Sequence, residues 1–198
     1  MNSTKFNLIL LIVMIQIACK GQVTDYYTAL KTCIPLHVGV TPQGKADIIL
    51  PNTECILGAG LPAITGITID GKKIDENYFK GKITVLNFWF VGCLGCEKEM
   101  PGLNNIVAKY KSEPVNFVAI GRNNVKEIQG FLMRRPFNFV HVANGSSIVE
   151  DTFKLKWGYP FTIVSDQHSK IIFTSLGMTD EKMQQELVPV IDKALKGI

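Results

Sequence analysis

Two cysteines in this 198-residue sequence, Cys93 and Cys96, have the side chains and the spacing to do chemistry together. They follow a nearly continuous apolar run at residues 83–90, of the kind that a strand buried on both faces requires. A segment at residues 94–111, in which apolar residues recur at helical spacing, begins directly after Cys93 and includes Cys96. The pair therefore lies where a buried strand passes into a helix, and it could be a metal clamp, a structural disulfide or a redox pair.

The surroundings of the pair favour the redox interpretation. A structural zinc site needs four Cys or His ligands at set spacings, and the three histidines of the chain form no such motif with the cysteines. A disulfide that closes so short a loop adds little to stability. The first turn of a helix has unpaired backbone amides and the positive end of the helix dipole, which stabilise a thiolate. We therefore expect Cys93 to be the nucleophile and Cys96 to resolve the mixed disulfide, with no metal and no cofactor.

Strands and helices alternate around the cysteine pair. The last two strands are joined by a short polar turn at residues 166–169, so we expect them to be antiparallel. The Asp70-Gly71 pair is a favoured two-residue hairpin turn, which predicts an N-terminal β-hairpin extension. The order predicts an α/β fold in which a central mixed sheet is flanked by helices. The pattern places strands at residues 64–69, 83–90, 115–121, 139–143, 161–165 and 170–175, and helices at residues 94–111, 125–134, 146–154 and 180–197.

The residues before this pattern have a different character. Residues 20–58 are punctuated by proline and glycine, contain short β-prone runs and lack a clear helical period. They predict a small N-terminal cap ahead of a main domain at residues 59–198. Cys33 and Cys55 lie in the cap, and they are either bridged or two buried free thiols. A bridge would close a loop of about 22 residues and stabilise the fold by about 3 kcal/mol on the chain-entropy model.

The N-terminus has the layout of a bacterial export signal. Lys5 precedes an apolar run at residues 6–18, which is shorter than the roughly 20 residues that a membrane-spanning helix needs. We expect residues 1–18 to be a signal peptide. The run ends at Cys19 in a sequence that resembles a lipobox, although Gln16 stands where that pattern prefers leucine. Either Cys19 is lipidated or the chain is secreted without an anchor.

Cysteine usage and charge narrow the compartment and the partners. If Cys19 carries lipid, the five cysteines divide into one anchor and two pairs, which fits an oxidising compartment such as the periplasm or cell envelope. The net charge is +4, and the 21 Lys and Arg residues are scattered rather than clustered in a stripe. We therefore expect no nucleic acid partner, and a contact with the membrane only through a lipid anchor.

Three segments carry a resemblance to a known family. They are GLPAITGITIDGKKIDENYFKGK, VLNFWFVGCLGCEKEMPGLN and GYPFTIVSDQHSKII, which occur in the family's order over about residues 58–197. Together they resemble extracytoplasmic thioredoxin-like proteins of the TlpA/ResA type, within the AhpC/TSA superfamily. The resemblance implies a thioredoxin-like fold and thiol-disulfide exchange.

The central segment implies roles for residues on both sides of the cysteines. Cys93 matches the family's attacking cysteine and Cys96 its resolving cysteine. Glu99 matches an acidic residue that tunes thiol acidity and proton transfer, because a carboxylate near the thiols opposes thiolate formation. Glu97 departs from the pattern, since it stands where a basic residue is more usual.

The third segment and the turn before the cysteines add a substrate-binding surface. The Tyr159-Pro160 pair matches a loop whose proline is cis and packs over the cysteines, and it would present the Tyr159 backbone to a bound peptide by strand pairing. Trp89 matches a wall of the site, although it could equally be a core aromatic. Gly92 and Gly95 replace bulkier family residues, and we expect them to widen access to the attacking thiol.

These observations predict a thiol-disulfide oxidoreductase that reduces disulfides of exported proteins. The resemblance favours the reducing direction, which needs a membrane electron donor, and we expect a monomer. One alternative is a thiol peroxidase, although residues 88–92 lack the proline and hydroxyl of the peroxiredoxin P-x-x-x-[TS]-x-x-C motif. The other alternative is a redox-inert, surface-tethered interaction module that retains the fold.

Overall fold

The structure of the protein is a computed structural model that describes residues 23–40 and 46–197, with side chains described for residues 23–36 and 51–197. The predicted signal peptide and Cys19 lie outside the described residues. Among the helices of the described ranges, none combines the length and the apolar character that a membrane crossing needs.

A mixed sheet forms the centre of the described fold, as the sequence predicted, and it has five strands. Its strand order is β7-β6-β5-β8-β9, with β5 parallel to β6 and antiparallel to β8, and with β8 antiparallel to β9. Two separate hairpins, β1-β2 and β3-β4, precede it. The strands are β1 (Leu36–Val40), β2 (Ala46–Leu50), β3 (Gly66–Ile67), β4 (Lys73–Ile74), β5 (Ile83–Trp89), β6 (Val115–Gly121), β7 (Val140–Val142), β8 (Phe161–Ser165) and β9 (Ile171–Leu176).

Helices cover both faces of this sheet. The longest, α3, is separated from β5 by four residues, and its start places the cysteine pair beyond the carboxyl end of the central strand. A capping box between Asn124 and Glu127 starts α4. The α-helical segments are α1 (Tyr26–Leu30), α2 (Glu76–Phe79), α3 (Leu94–Lys109), α4 (Val125–Leu132), α5 (Asp180–Lys182) and α6 (Val188–Leu195).

The central strand β5 separates two hydrophobic cores, because alternate side chains of a strand point to opposite faces. All seven of its residues are buried. The helical core contains side chains of α3, α4 and α6 together with Ile83, Val85 and Trp89 of β5. The cap core contains side chains of α1, α2 and the residues around Val149, together with Leu86 and Phe88 of β5.

Residues 20–58 lack a clear helical period in the sequence, yet they contain a short α-helix as well as the predicted β-strands. Residues Tyr26–Leu30 form α1, whose first turn is capped by the Asp25 side chain, which accepts a hydrogen bond from the Thr28 N–H at 2.9 Å. A helix of five residues is too short to show a hydrophobic period in the sequence. It is held by packing: Tyr26 is 2% exposed, and its hydroxyl donates to the Phe153 carbonyl at 2.8 Å.

Three other predicted elements differ most in extent or type, and the remaining ones agree to within two residues at each end. The strand predicted at residues 64–69 is only Gly66–Ile67, and the helix predicted at residues 146–154 is a π-helical turn, Ile148–Thr152. The C-terminal helix contains a π-helical turn, Met183–Leu187, between α5 and α6. This break places Pro189 in the first turn of α6, where the missing N–H of proline is tolerated.

Candidate active site

The cysteine pair lies at the start of α3 and is joined as a disulfide, with the two Cα atoms 5.2 Å apart. Cys93 is the N-cap residue of α3, and its Sγ accepts a hydrogen bond from the Cys96 N–H at 3.2 Å. The turn from β5 passes through Gly92, whose φ of 92° lies in the left-handed region that glycine adopts without strain. A sulfur anion at this position would meet an N–H donor and the positive end of a 16-residue helix.

The segment containing Tyr159 and Pro160 packs against the cysteine turn. The peptide bond between the two residues is cis, as the resemblance implied. A Cβ placed on Gly95 would lie 3.1 Å from Pro160 Cδ, so the glycine allows the proline to approach closely. Tyr159 is half-buried, and its ring meets the edge of the Phe90 ring with 5.3 Å between centroids.

Both cysteine side chains are buried, although Gly92 and Gly95 beside them are exposed. Cys93 is 6% exposed and Cys96 is 1% exposed. Wider access through the two glycines stays a prediction: Gly95 lets Pro160 approach, and no atom lies within 4 Å of a Cβ placed on Gly92. The exposed side chain of the dipeptide between the cysteines is Leu94, at 74%.

Glu99 is buried one turn further along α3, at 3% exposure. One of its carboxylate oxygens accepts from the Asn87 side-chain amide at 2.7 Å, and the other accepts from the Met178 N–H at 3.0 Å. Burial raises the pKa of Glu99 to about 7, although both hydrogen bonds act in the opposite direction. An acid with this pKa can both take up and release a proton near neutral pH.

Sequence reasoning gave no role to Asn87. Its side-chain nitrogen contacts both Glu99 and the Thr162 hydroxyl, the latter at 3.1 Å, and it is 1% exposed. A signal was present, because an asparagine inside the apolar run of a buried strand needs hydrogen-bond partners. Met178 contributes only its backbone, so no side-chain pattern could reveal it.

Trp89 is a core residue rather than a wall of the site. It is 0% exposed and packs in the helical core against Phe131, Phe137 and His141. Strand alternation turns it towards α3 and α4, so it offers no surface to a partner. The aromatic residue that lies beside Tyr159 is Phe90, which sequence reasoning missed.

The second cysteine pair is bridged too. Cys33 and Cys55 are joined with their Cα atoms 5.1 Å apart, and both sulfur-bearing side chains pack against the cap core. Cys93 and Cys96 belong to the helical core on the other face of the sheet. In the described ranges, no group of three His, Cys, Asp or Glu side chains is arranged to hold a metal ion.

The fold and the site define the class of the protein, which is a thioredoxin-like thiol-disulfide oxidoreductase. The cysteine pair lies at the start of the helix that follows the central strand, and the cis Tyr159-Pro160 bond lies beside it. The model of the AhpC/TSA family matches residues 57–195, and the chain belongs to this family.

Individual relatives agree with this class. The chain is 29% identical over 124 residues to the thiol-disulfide oxidoreductase ResA of Halalkalibacterium halodurans, covering 62% of this chain and 70% of the relative. It is 30% identical over 134 residues to ResA of Bacillus thuringiensis subsp. konkukian, covering 66% and 76%. The crystal structure of the thioredoxin domain of a thiol-disulfide oxidoreductase from Bacteroides vulgatus superposes with a TM-score of 0.58 at 26% identity, covering 67% of this chain and 96% of that domain. The resemblance to proteins of the TlpA/ResA type is confirmed.

Proposed function

We propose that this protein reduces disulfides of exported proteins by thiol-disulfide exchange at Cys93 and Cys96. The observation that carries the proposal is the position of the Cys93 sulfur, which caps the first turn of α3 and accepts the Cys96 N–H. Backbone N–H groups and the helix dipole favour the charged form of a thiol, and the thiolate is the nucleophile in exchange.

In the first step the Cys93 thiolate attacks one sulfur of the partner's disulfide. A bond forms between Cys93 Sγ and that sulfur, the partner's S–S bond breaks, and the second partner sulfur leaves as a thiolate that takes up a proton. The backbone of Tyr159, which lies beside Phe90 at the mouth of the site, binds the partner's extended chain by strand pairing.

In the second step Cys96 resolves the mixed disulfide. Its thiol loses a proton and attacks Cys93 Sγ, the intermolecular bond breaks, and the partner leaves with both of its cysteines reduced. Glu99 takes up that proton, because it lies three positions after Cys96 on the same face of α3 and its pKa of about 7 suits a general base near neutral pH. The protein is left with the Cys93–Cys96 disulfide.

A return to the dithiol requires two electrons and two protons from a donor. The names of the relatives, thiol-disulfide oxidoreductase ResA, support this chemistry. We propose that residues 1–18 direct export, that Cys19 carries lipid, and that the monomeric protein receives electrons from a membrane donor. Mass spectrometry of the mature N-terminus tests the anchor, since lipidation adds the mass of the acyl chains to a fragment that begins at Cys19.

The function is tested by insulin reduction with dithiothreitol as the electron source. The full chain should accelerate precipitation of the insulin B chain, and Cys93→Ser should abolish the acceleration. Peroxide consumption that depends on Cys93, without insulin reduction, would indicate a peroxidase instead. The absence of both activities would indicate a redox-inert module. Cys96→Ala should accumulate mixed disulfides with exported proteins, because the resolving thiol is missing.

A further inference from the structure

A carboxylate occupies an unfavourable place beside the cysteine pair. Glu97 follows Cys96 directly in the first turn of α3, and its N–H donates to the Cys93 carbonyl at 3.0 Å. Its side chain is 15% exposed, so water screens its charge only in part. Alone, this negative charge would oppose a thiolate at Cys93.

A cation from another element lies against this carboxylate. Arg135 Nε is 3.1 Å from Glu97 Oε2. Arg135 belongs to the turn that follows α4, and it is 38 positions from Glu97 along the sequence. The two charges compensate each other at the start of α3.

The turn that carries Arg135 is fixed to α3 at a second point. The Asn104 side chain donates to the Pro136 carbonyl at 2.9 Å and accepts from the Asn138 N–H at 2.7 Å. Glu97 and Asn104 are seven positions apart, which is about two helical turns, so they lie on one face of α3. The backbone of Arg135 also donates to the Phe131 carbonyl at 3.0 Å. The guanidinium is therefore delivered by an anchored turn rather than by a free loop.

We propose that Arg135 is a positioning residue for the exchange reaction, because it holds the Glu97 carboxylate and cancels its charge, so that the first turn of α3 continues to favour a thiolate at Cys93. This inference rests on the proposed function, which makes Cys93 the attacking thiol. Arg135 acts through Glu97 and does not touch the reacting sulfurs. It supplies, from the turn after α4, the positive charge that the sequence lacks directly after Cys96.

The other charges around the site are the same in every variant that tests this idea. Lys98 is exposed on the next position of α3, and Glu99 is buried and held by its own hydrogen bonds. On the side of Tyr159, Arg122 pairs with Glu150 at 2.6 Å. A difference between variants at residues 97 and 135 therefore reports the Glu97–Arg135 pair.

The test measures the acidity of the Cys93 thiol in the full chain with Cys96→Ala, which leaves Cys93 unpaired. The rate of alkylation by iodoacetamide is followed against pH, with mass spectrometry of the Cys93 peptide to separate it from other thiols. Arg135→Gln should lower the acid dissociation constant of the Cys93 thiol about threefold to tenfold, which moves the midpoint to higher pH by the amount expected for one partly screened charge. Glu97→Gln should move it in the opposite direction, and the double variant should lie near the parent.

Two further variants separate charge compensation from a merely structural role. Arg135→Lys should leave the midpoint close to that of the parent because it keeps the positive charge. Arg134→Gln removes the same charge from the neighbouring exposed position and should leave the midpoint unchanged. The proposal would be overturned if Arg134→Gln and Arg135→Gln gave equal shifts. It would also be overturned if Arg135→Gln gave a shift of the same size in a chain that already carries Glu97→Gln. Insulin reduction by the chain with both cysteines tests the proposed function separately. If insulin reduction is absent while the midpoints shift as described, the proposed function is wrong and the role of the Glu97–Arg135 pair is supported.

Discussion

The two disulfides of this protein have nearly the same backbone separation and opposite surroundings. The Cα atoms are 5.2 Å apart in Cys93–Cys96 and 5.1 Å apart in Cys33–Cys55. The Cys93 sulfur lies next to a backbone N–H. The sulfurs of Cys33 and Cys55 lie 3.7 Å and 3.0 Å from the carbonyl oxygens of nearby backbone groups.

This difference indicates which pair is reactive. A carbonyl oxygen accepts a hydrogen bond from a neutral thiol and repels a thiolate, whereas an N–H donor stabilises the thiolate. Because exchange needs the thiolate, similar bonds are expected to be labile at the start of α3 and inert in the cap. The surroundings of the sulfurs, more than the spacing of the cysteines, therefore assign the chemistry.

The largest expected difference between the pairs is in catalysis. Cys93→Ser should reduce the rate of insulin reduction by about a thousandfold or more, because it removes the nucleophile. The double variant Cys33→Ser/Cys55→Ser should retain at least about half of the rate, since that pair has no part in the exchange. A loss in the cap variant comparable to that of Cys93→Ser would show that the comparison assigns the wrong pair.

Stability should show the reverse order. Replacing Cys33 and Cys55 by serine opens a loop with a sequence separation of 22, which should lower the free energy of unfolding by about 3 kcal/mol. Replacing Cys93 and Cys96 opens a loop with a separation of 3, for which the same model gives about 1.5 kcal/mol. Urea unfolding of both variants checks this, and equal losses would contradict the division into a structural and a catalytic pair.

Glu99 is a buried acid on α3, beside the reactive cysteine pair. The pKa of Glu99 is raised from 4.5 to about 7, so the folded protein binds a proton that the unfolded chain has released between these values. The free energy of unfolding should therefore fall as the pH rises through this window, by about 3 kcal/mol relative to Glu99→Gln. Below pH 4.5 the glutamate is protonated in both states and the difference between the two proteins no longer changes.

The measurement is urea unfolding of the oxidised protein between pH 4 and pH 8, with Glu99→Gln beside it. Glu54, the exposed acid next to Cys55, provides the matched control as Glu54→Gln. Parallel pH curves for the parent and for Glu99→Gln would contradict the raised pKa of Glu99.

The smallest of the expected differences is in reduction potential. In a glutathione or dithiothreitol redox series, the Cys93–Cys96 bond should be reduced at a potential at least about 30 mV higher than the Cys33–Cys55 bond, which is a tenfold difference in the equilibrium constant. The reason is that only the first pair gains a stabilised thiolate on reduction. Mass spectrometry of the alkylated peptides follows each pair, and a common midpoint would mean that their surroundings do not separate them.

The elements that position the cysteines were predictable from local sequence. The apolar run at residues 83–90 identified the central strand, and the helical period after it placed the pair at the start of α3. Both signals arise from burial patterns that repeat within one element. The cis bond before Pro160 came from the resemblance, because the sequence of a single loop does not select the isomer.

The contacts that tune the site were not predictable in the same way. Glu99 meets Asn87 on β5 and the Met178 backbone, which is 79 positions away. Such contacts depend on how α3 packs between two other segments, and no local period records that packing. The short helix α1 was missed for the same reason, since its stability comes from Tyr26 in the cap core rather than from its own five residues.

The placement of α1 decides where an expressed fragment of this protein should begin. The family match starts at residue 57, yet the Tyr26 ring fills space beside Phe153 and its hydroxyl bonds that residue's carbonyl. Expression of the matched segment alone would remove Tyr26 and Ile56 from the cap core and leave Phe153, which is otherwise fully enclosed, without these neighbours. We expect such a truncated product to aggregate, whereas one that starts ahead of Asp25 should remain in solution.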